Sequence, residues 1–209
     1  MLNTRVLRQS IGGIREVVMA RIAIDMDEVI ADALGGLLDY YNRECNTSHT
    51  PEDLVGKKLT DILSEKEFNI IENALAEEEF WLDLKVMDGA QDVIERLSTK
   101  HEIFISTAAM EVPVSLRPKF HWLQEHFPCI HHLNYIFCGH KYIVRADYLI
   151  DDNPRHFSTF EGQGILFDSP HNRFVEGYPR ARSWHEIEDL LLVLEESRLS
   201  GARVSSAKN

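Results

Sequence analysis

Three short apolar runs in this sequence lead into polar groups suited to phosphoryl chemistry. Arg21-Ile-Ala-Ile24 runs into Asp25-Met-Asp27-Glu-Val29, Glu102-Ile-Phe-Ile105 into Ser106-Thr107, and Tyr148-Leu-Ile150 into Asp151-Asp152. A single Asp-x-Asp is common in turns, but two apolar runs that each deliver an acidic pair are harder to produce by coincidence. Like charges gathered this closely repel unless a cation sits among them. Oxygen-only ligands select a hard ion, and Mg2+ is the usual one beside phosphate. Phosphoryl transfer also needs an in-line nucleophile, neutralised phosphate charge and a protonated leaving oxygen. Asp25 is the candidate nucleophile, forming an acyl phosphate, and Asp27 the candidate general acid/base. Thr107 can donate a hydroxyl to a phosphate oxygen, and Lys141, just ahead of the run that carries Asp151, can supply a compact positive charge. Asp151 and Asp152 would complete the metal site with Asp25 and the main-chain carbonyl of Asp27.

Elements that could hold these groups follow from the periodicity. Apolar runs near 21–25, 102–106, 134–138, 148–150 and 164–168 read as five buried strands. Leu34, Leu37, Leu38 and Tyr41 recur at helical spacing over 32–43. Thr50-Pro51 is a helix start, and Ser64 with Glu67 forms a capping box ahead of Phe68, Ile71 and Leu75. Further helices are expected from Gly89, within 114–127 with Pro118 in the first turn, and after Ser183 with Glu186 in the capping-box position. Strands alternating with helices predict an α/β Rossmann-like parallel sheet covered on both faces, with ligand bound beyond the carboxyl ends of its strands. The helical stretch over 32–81 reads as a small cap inserted after the first strand, so that 19–31 and 82–199 form the core. Residues 1–18 read as a disordered extension and 200–209 as a flexible tail.

The 209 residues carry 34 acidic and 22 basic side chains, a net charge of -12, which argues against a nucleic-acid polymer as partner. A mononucleotide, held by one lysine, a few N–H groups and a metal ion, remains compatible. No apolar run is long enough for a membrane span. Cys45, Cys129 and Cys138 lack metal or redox spacing and read as reduced, small apolar residues of a cytoplasmic protein. His131 and His132 are adjacent, which tends to splay their side chains, and no Cys/His spacing fits zinc.

Asp25-Met-Asp-Glu-Val29, a strand ending in Thr107, then Lys141 and Asp151-Asp152 resemble the four-motif signature of haloacid-dehalogenase (HAD)-type phosphatases over most of residues 20–195. Within that superfamily the chain is most similar to the 5'(3')-deoxyribonucleotidases. This narrower likeness rests on the first motif, on Lys141-Tyr-Ile-Val-Arg-Ala-Asp-Tyr-Leu-Ile-Asp-Asp152, and on Phe80-Trp81 ahead of Met87-Asp-Gly89. The resemblance implies hydrolysis of a nucleoside monophosphate, typically a pyrimidine deoxynucleotide, with the cap closing over the nucleoside. It makes Asp25 the nucleophile, Asp27 the acid/base, Thr107 and Lys141 the phosphate binders and Asp152 the metal ligand, with Asp151 its helper or alternative. Ala108-Ala109 departs from the family's Ser-Pro, which removes one polar contact. Phe80 and Trp81 are candidates for contact with the base, against a plainer reading as core or hinge packing. Other small phosphate esters and a phospho-accepting signalling domain are the alternatives. A homodimer is compatible with the sequence, although no residue argues for it.

Overall fold

Strand β1 (Arg21–Ile24) lies at the centre of a six-stranded sheet whose pairings are all parallel. The computed structural model describes residues 19–199, so the expected extension at 1–18 and tail at 200–209 lie outside the described residues. The other strands are β2 (Glu102–Thr107), β3 (Tyr135–Phe137), β4 (Tyr148–Asp151), β5 (Gln163–Phe167) and β6 (Arg180–Ala181), in the order β3-β2-β1-β4-β5-β6. The two-residue β6 is an addition to the five strands expected; Arg180-Ala181 is too short to show any alternation. The order reverses between β1 and β4, and at such a switch point the diverging connections leave a crevice beyond the carboxyl ends. Asp25 follows β1 directly, and Thr107 and Asp151 end β2 and β4, all on that edge. Register aligns Ile24 with both Ile105 and Ile150, which brings the three strand ends level.

Alternation divides the strand side chains between two faces. Ile22, Ile24, Ile103, Ile105, Ile150 and Ile165 enter a large cluster with α4 (Ala90–Ser98), α5 (Leu116–His126) and α6 (Trp184–Leu199). Ala23, Leu149 and Leu166 face the other way, against Val144, Phe157 and Phe160. Among the described residues, no α-helix contributes to this second cluster. Its cover comes from connections that hold only the 3-10 turns Lys141–Ile143 and Pro154–His156, so the expectation of helices on both faces is met on one. The links from β3 to β4 and from β4 to β5 are about ten residues each, near the lower limit for a crossover that contains a helix.

The segment after β1 forms the helical insertion, with α1 (Ala33–Cys45), α2 (Glu65–Ala76) and α3 (Glu78–Leu82). Asp32 caps α1 by accepting from Gly35 N, and the Ser64–Glu67 capping box starts α2 as expected. The expected helix at Pro51 is the single 3-10 turn Pro51–Leu54. Leu38, Tyr41, Leu54, Leu59 and Ile71 give the insertion a small core of its own. Its two linkers pair with each other: Ala31 bridges Val86, and Asp32 N donates to Lys85 O at 2.9 Å. Two buried indoles brace this neck. Trp184 Nε1 donates to Val29 O and Trp122 Nε1 to Leu84 O, each at 2.8 Å.

None of the three cysteines is fully buried: Cys129 is exposed, and Cys45 and Cys138 are half-buried. The His131 and His132 rings stack at 4.4 Å rather than diverge, because the chain turns into a 3-10 turn there. Among the described residues, no helix is long and apolar enough to cross a membrane.

Candidate active site

Asp25 leaves β1 with its N–H donating to Ile150 O at 2.9 Å, so the central strand pair fixes its backbone. Its carboxylate is buried, and Lys141 Nζ lies 2.7 Å from Oδ1. The same ammonium lies 2.6 Å from Asp151 Oδ2, and neither Lys141 nor Asp151 is exposed at all. Burial alone would pull the Lys141 ammonium toward neutrality; Asp25 and Asp151 outweigh it and hold the charge on. Burial pushes Asp25 up to about 7, with Lys141 opposing and the charges of Asp151 and Asp27 adding to the rise.

One carboxylate oxygen from each of Asp25, Asp151 and Asp152 falls within 4.8 Å of the others, the one such group among the described residues. Asp151 Oδ1 accepts from Asn153 N at 2.8 Å, leaving Oδ2 to Lys141. Asp152 has no comparable cation. The partner nearest its side chain is His171 Nε2 at 3.6 Å, a ring that burial biases toward neutrality. Burial, then the charges of Asp151, Asp25 and Glu28, drive the Asp152 carboxyl well above the usual range. A buried, uncompensated carboxylate beside two others is the environment a hard divalent cation neutralises, so this donor set fits a metal ion.

Asp27 sits two residues beyond Asp25 and reaches a different group. Its Oδ2 lies 2.5 Å from Lys119 Nζ, while its Oδ1 is buried without a hydrogen-bond partner. Thr107, at the end of β2 and fully buried, lies on the same ammonium, with Lys119 Nζ 3.5 Å from its Oγ1. Trp81 is buried, its Nε1 donating to Leu75 O, and its ring covers Lys119 Nζ at 4.4 Å from the centroid. Phe80 is half-buried and meets Trp81 edge-on at 5.0 Å. Asp25, Asp151, Asp152 and Lys141 therefore form one cluster, and Asp27 and Thr107 join a second one built on Lys119.

Lys119 was not foreseen from the sequence. The signal was there: Lys119, Trp122 and Leu123 share a helix face at i, i+3 and i+4, and a lysine inside an apolar stripe needs an acidic partner. Two other residues were missed. Glu28 adopts φ 63°, unusual for a residue other than glycine, and accepts from Leu34 N at 2.6 Å to help cap α1. Asn172 is fully buried and donates from Nδ2 to Asp152 O at 2.7 Å and Phe167 O at 2.8 Å, anchoring the backbone that carries Asp152.

The model of the family described as "5' nucleotidase, deoxy (Pyrimidine), cytosolic type C protein" matches residues 18–197. The chain belongs to this family. The 5'(3')-deoxyribonucleotidase of Bacillus subtilis is 38% identical over 174 residues, which is 82% of this chain and 98% of that one. A relative in Staphylococcus aureus is 43% identical over 171 residues, 82% of this chain and 94% of its own. Among solved structures, a haloacid-dehalogenase-like hydrolase of Streptococcus pneumoniae superposes with a TM-score of 0.57 at 14% identity, covering 83% of this chain and 98% of that one. A HAD hydrolase of Bacillus subtilis, solved with magnesium bound, gives 0.52, also at 14%. These superpositions show the HAD-like fold of this nucleotidase-family chain.

Proposed function

We propose that the protein hydrolyses nucleoside monophosphates, with pyrimidine deoxyribonucleotides favoured, through a phospho-aspartate on Asp25. The observation that carries this reading is the burial of Asp25 against Lys141, beside a three-carboxylate cluster, at the switch point of the parallel sheet. The family match and the names of its relatives support the substrate class.

Asp25, Asp152 and the Asp27 carbonyl would hold Mg2+, with Asp151 as helper. Mg2+ would screen the phosphoryl oxygens and favour the ionised form of Asp25. Asp25 then attacks phosphorus in line, forming a new P–O bond while the bond to the nucleoside oxygen breaks. The leaving oxygen takes a proton from Asp27, which afterwards deprotonates the water that cleaves the acyl phosphate. Lys141 keeps Asp25 oriented, and Thr107 donates to a phosphoryl oxygen. Phe80, half-buried and edge-on to Trp81, would be the aromatic contact for the base.

Phosphate release from a panel of nucleoside and sugar monophosphates, with magnesium and then with a chelator, tests the reading. Pyrimidine deoxynucleotides should lead, and chelation should stop turnover. Sugar phosphates turned over as fast as deoxynucleotides would overturn the substrate; undiminished turnover in chelator would overturn the metal requirement.

A further inference from the structure

The two buried lysines of the site differ in what they already neutralise. Lys141 Nζ is held between two carboxylates at 2.7 and 2.6 Å, so its single charge is more than matched before any substrate arrives. Moving it would strip both Asp25 and Asp151 of their partner at once, a heavy cost for buried charges. Lys119 has one carboxylate, Asp27, and its remaining polar neighbour is Thr107 Oγ1 at 3.5 Å. A phosphoryl group received by Thr107 is therefore within reach of Lys119.

The surroundings of Lys119 suit a cation that changes partner. The residue is 1% exposed, so its charge is poorly solvated, and the face of Trp81 offsets part of that loss whichever oxygen the ammonium contacts. Lysine presents three rotatable N–H donors on a flexible stem, so it can swap one oxygen for another with little displacement. The need is also visible: Ala108 and Ala109, which follow Thr107, bring no side-chain donor, and a phosphate dianion would enter a pocket with four aspartates.

We propose that Lys119 is a phosphate-binding residue that exchanges the Asp27 carboxylate for a phosphoryl oxygen of the substrate, while Lys141 stays on Asp25 and Asp151. This rests on the phosphatase reading above. It divides the work of the two lysines: Lys141 fixes the nucleophile, and Lys119 meets the incoming charge and releases Asp27 toward the leaving oxygen.

Inorganic phosphate binding to the full chain at constant magnesium, measured by calorimetry, is the test. Lys119→Met keeps the apolar stem under Trp81 and removes the charge, and it should weaken phosphate binding at least tenfold while magnesium binding stays within about twofold. Asp27→Asn releases Lys119 and should tighten phosphate binding severalfold, a gain that disappears in Asp27→Asn/Lys119→Met. A lysine that merely props Asp27 would leave phosphate affinity unchanged in Lys119→Met, or would leave the Asp27→Asn gain intact in the double variant; either result overturns the proposal. Should Lys119→Met alone fail to fold, comparing Asp27→Asn with the charge-balanced double variant decides the matter. If the unaltered protein binds magnesium but no phosphate, the phosphatase reading itself falls, a result distinct from failure of the Lys119 assignment.

Discussion

Lys141 Nζ, itself wholly buried, lies 2.7 Å from Asp25 Oδ1, whose side chain keeps 11% of its exposure, so one ammonium both orients the nucleophile and compensates the buried carboxylates around it. The two roles separate by substitution. Asp25→Asn removes the nucleophile but leaves Lys141 paired with Asp151; turnover should fall at least about a thousandfold with the melting temperature little changed. Lys141→Met leaves Asp25 and Asp151 buried and unpaired, which costs about 3–5 kcal/mol and should lower the melting temperature sharply. Steady-state rates and thermal denaturation of both variants check this. Retained turnover in Asp25→Asn would remove Asp25 from the mechanism.

Stability without metal should depend on pH in a set direction. Burial and the neighbouring aspartates push Glu28 from an ordinary 4.5 up to about 8, and Asp25 from 3.8 to about 7. Raised values mean that the folded protein binds these protons more tightly than the unfolded chain. The contribution is whole below about pH 4, shrinks as pH rises, and is gone above about 8. In chelator, the melting temperature should fall between pH 5 and 8.5. Glu28→Gln keeps an acceptor for Leu34 N and loses the charge, so its decline should be shallower. An equally steep decline in the variant would show that Glu28 is not among the groups responsible.

The strands and their polar ends were legible because each is a short apolar run whose last residue changes character, and parallel topology requires those ends to converge. The Ser64–Glu67 box and the helices of the insertion could be read for the same reason: their signals are local. Lys119, Asn172 and Glu28 were not legible, since each takes its meaning from a partner distant in sequence or from a backbone angle. Lys119 meets Asp27 across 92 positions. The cover of the second face by connections without α-helices escaped because periodicity reports which side chains point inward, not which connections are long enough to form a helix.

Asp152 has no lysine of its own, which makes it the carboxylate most dependent on a cation. Asp152→Asn should weaken magnesium binding about a hundredfold, on the scale set by the 10–100-fold effects of outer partners of metal ligands. Loss of the buried charge should also stabilise the chain in chelator. Asn172→Ala releases the Asp152 carbonyl and should give a smaller loss of affinity together with lower stability. Magnesium titration and chelator melts of both variants measure these effects. Tighter magnesium binding in Asp152→Asn would transfer the ligand role to Asp151.

The helical insertion meets the rest of the chain a second time, away from its neck. Gly56 N donates to Pro170 O at 2.9 Å, and Gly56 holds φ 73°. A Cβ built there would stand 2.5 Å from Cε2 of Phe174. Pro170 and Asn172 belong to one 3-10 turn, so the contact that meets the insertion and the side chain that anchors Asp152 lie two residues apart. Gly56→Ala combines a left-handed backbone angle with a steric conflict, and a cost of about 1–3 kcal/mol should fall on the seam rather than on the sheet. KM for a nucleotide should rise severalfold and cleavage by protease within the cap should quicken, while the melting of the core stays near that of the unaltered protein. Phe174→Ala relieves the conflict and should restore much of the KM in the Gly56→Ala background. If KM does not change in Gly56→Ala while kcat falls, the seam serves the chemical step rather than closure over the substrate.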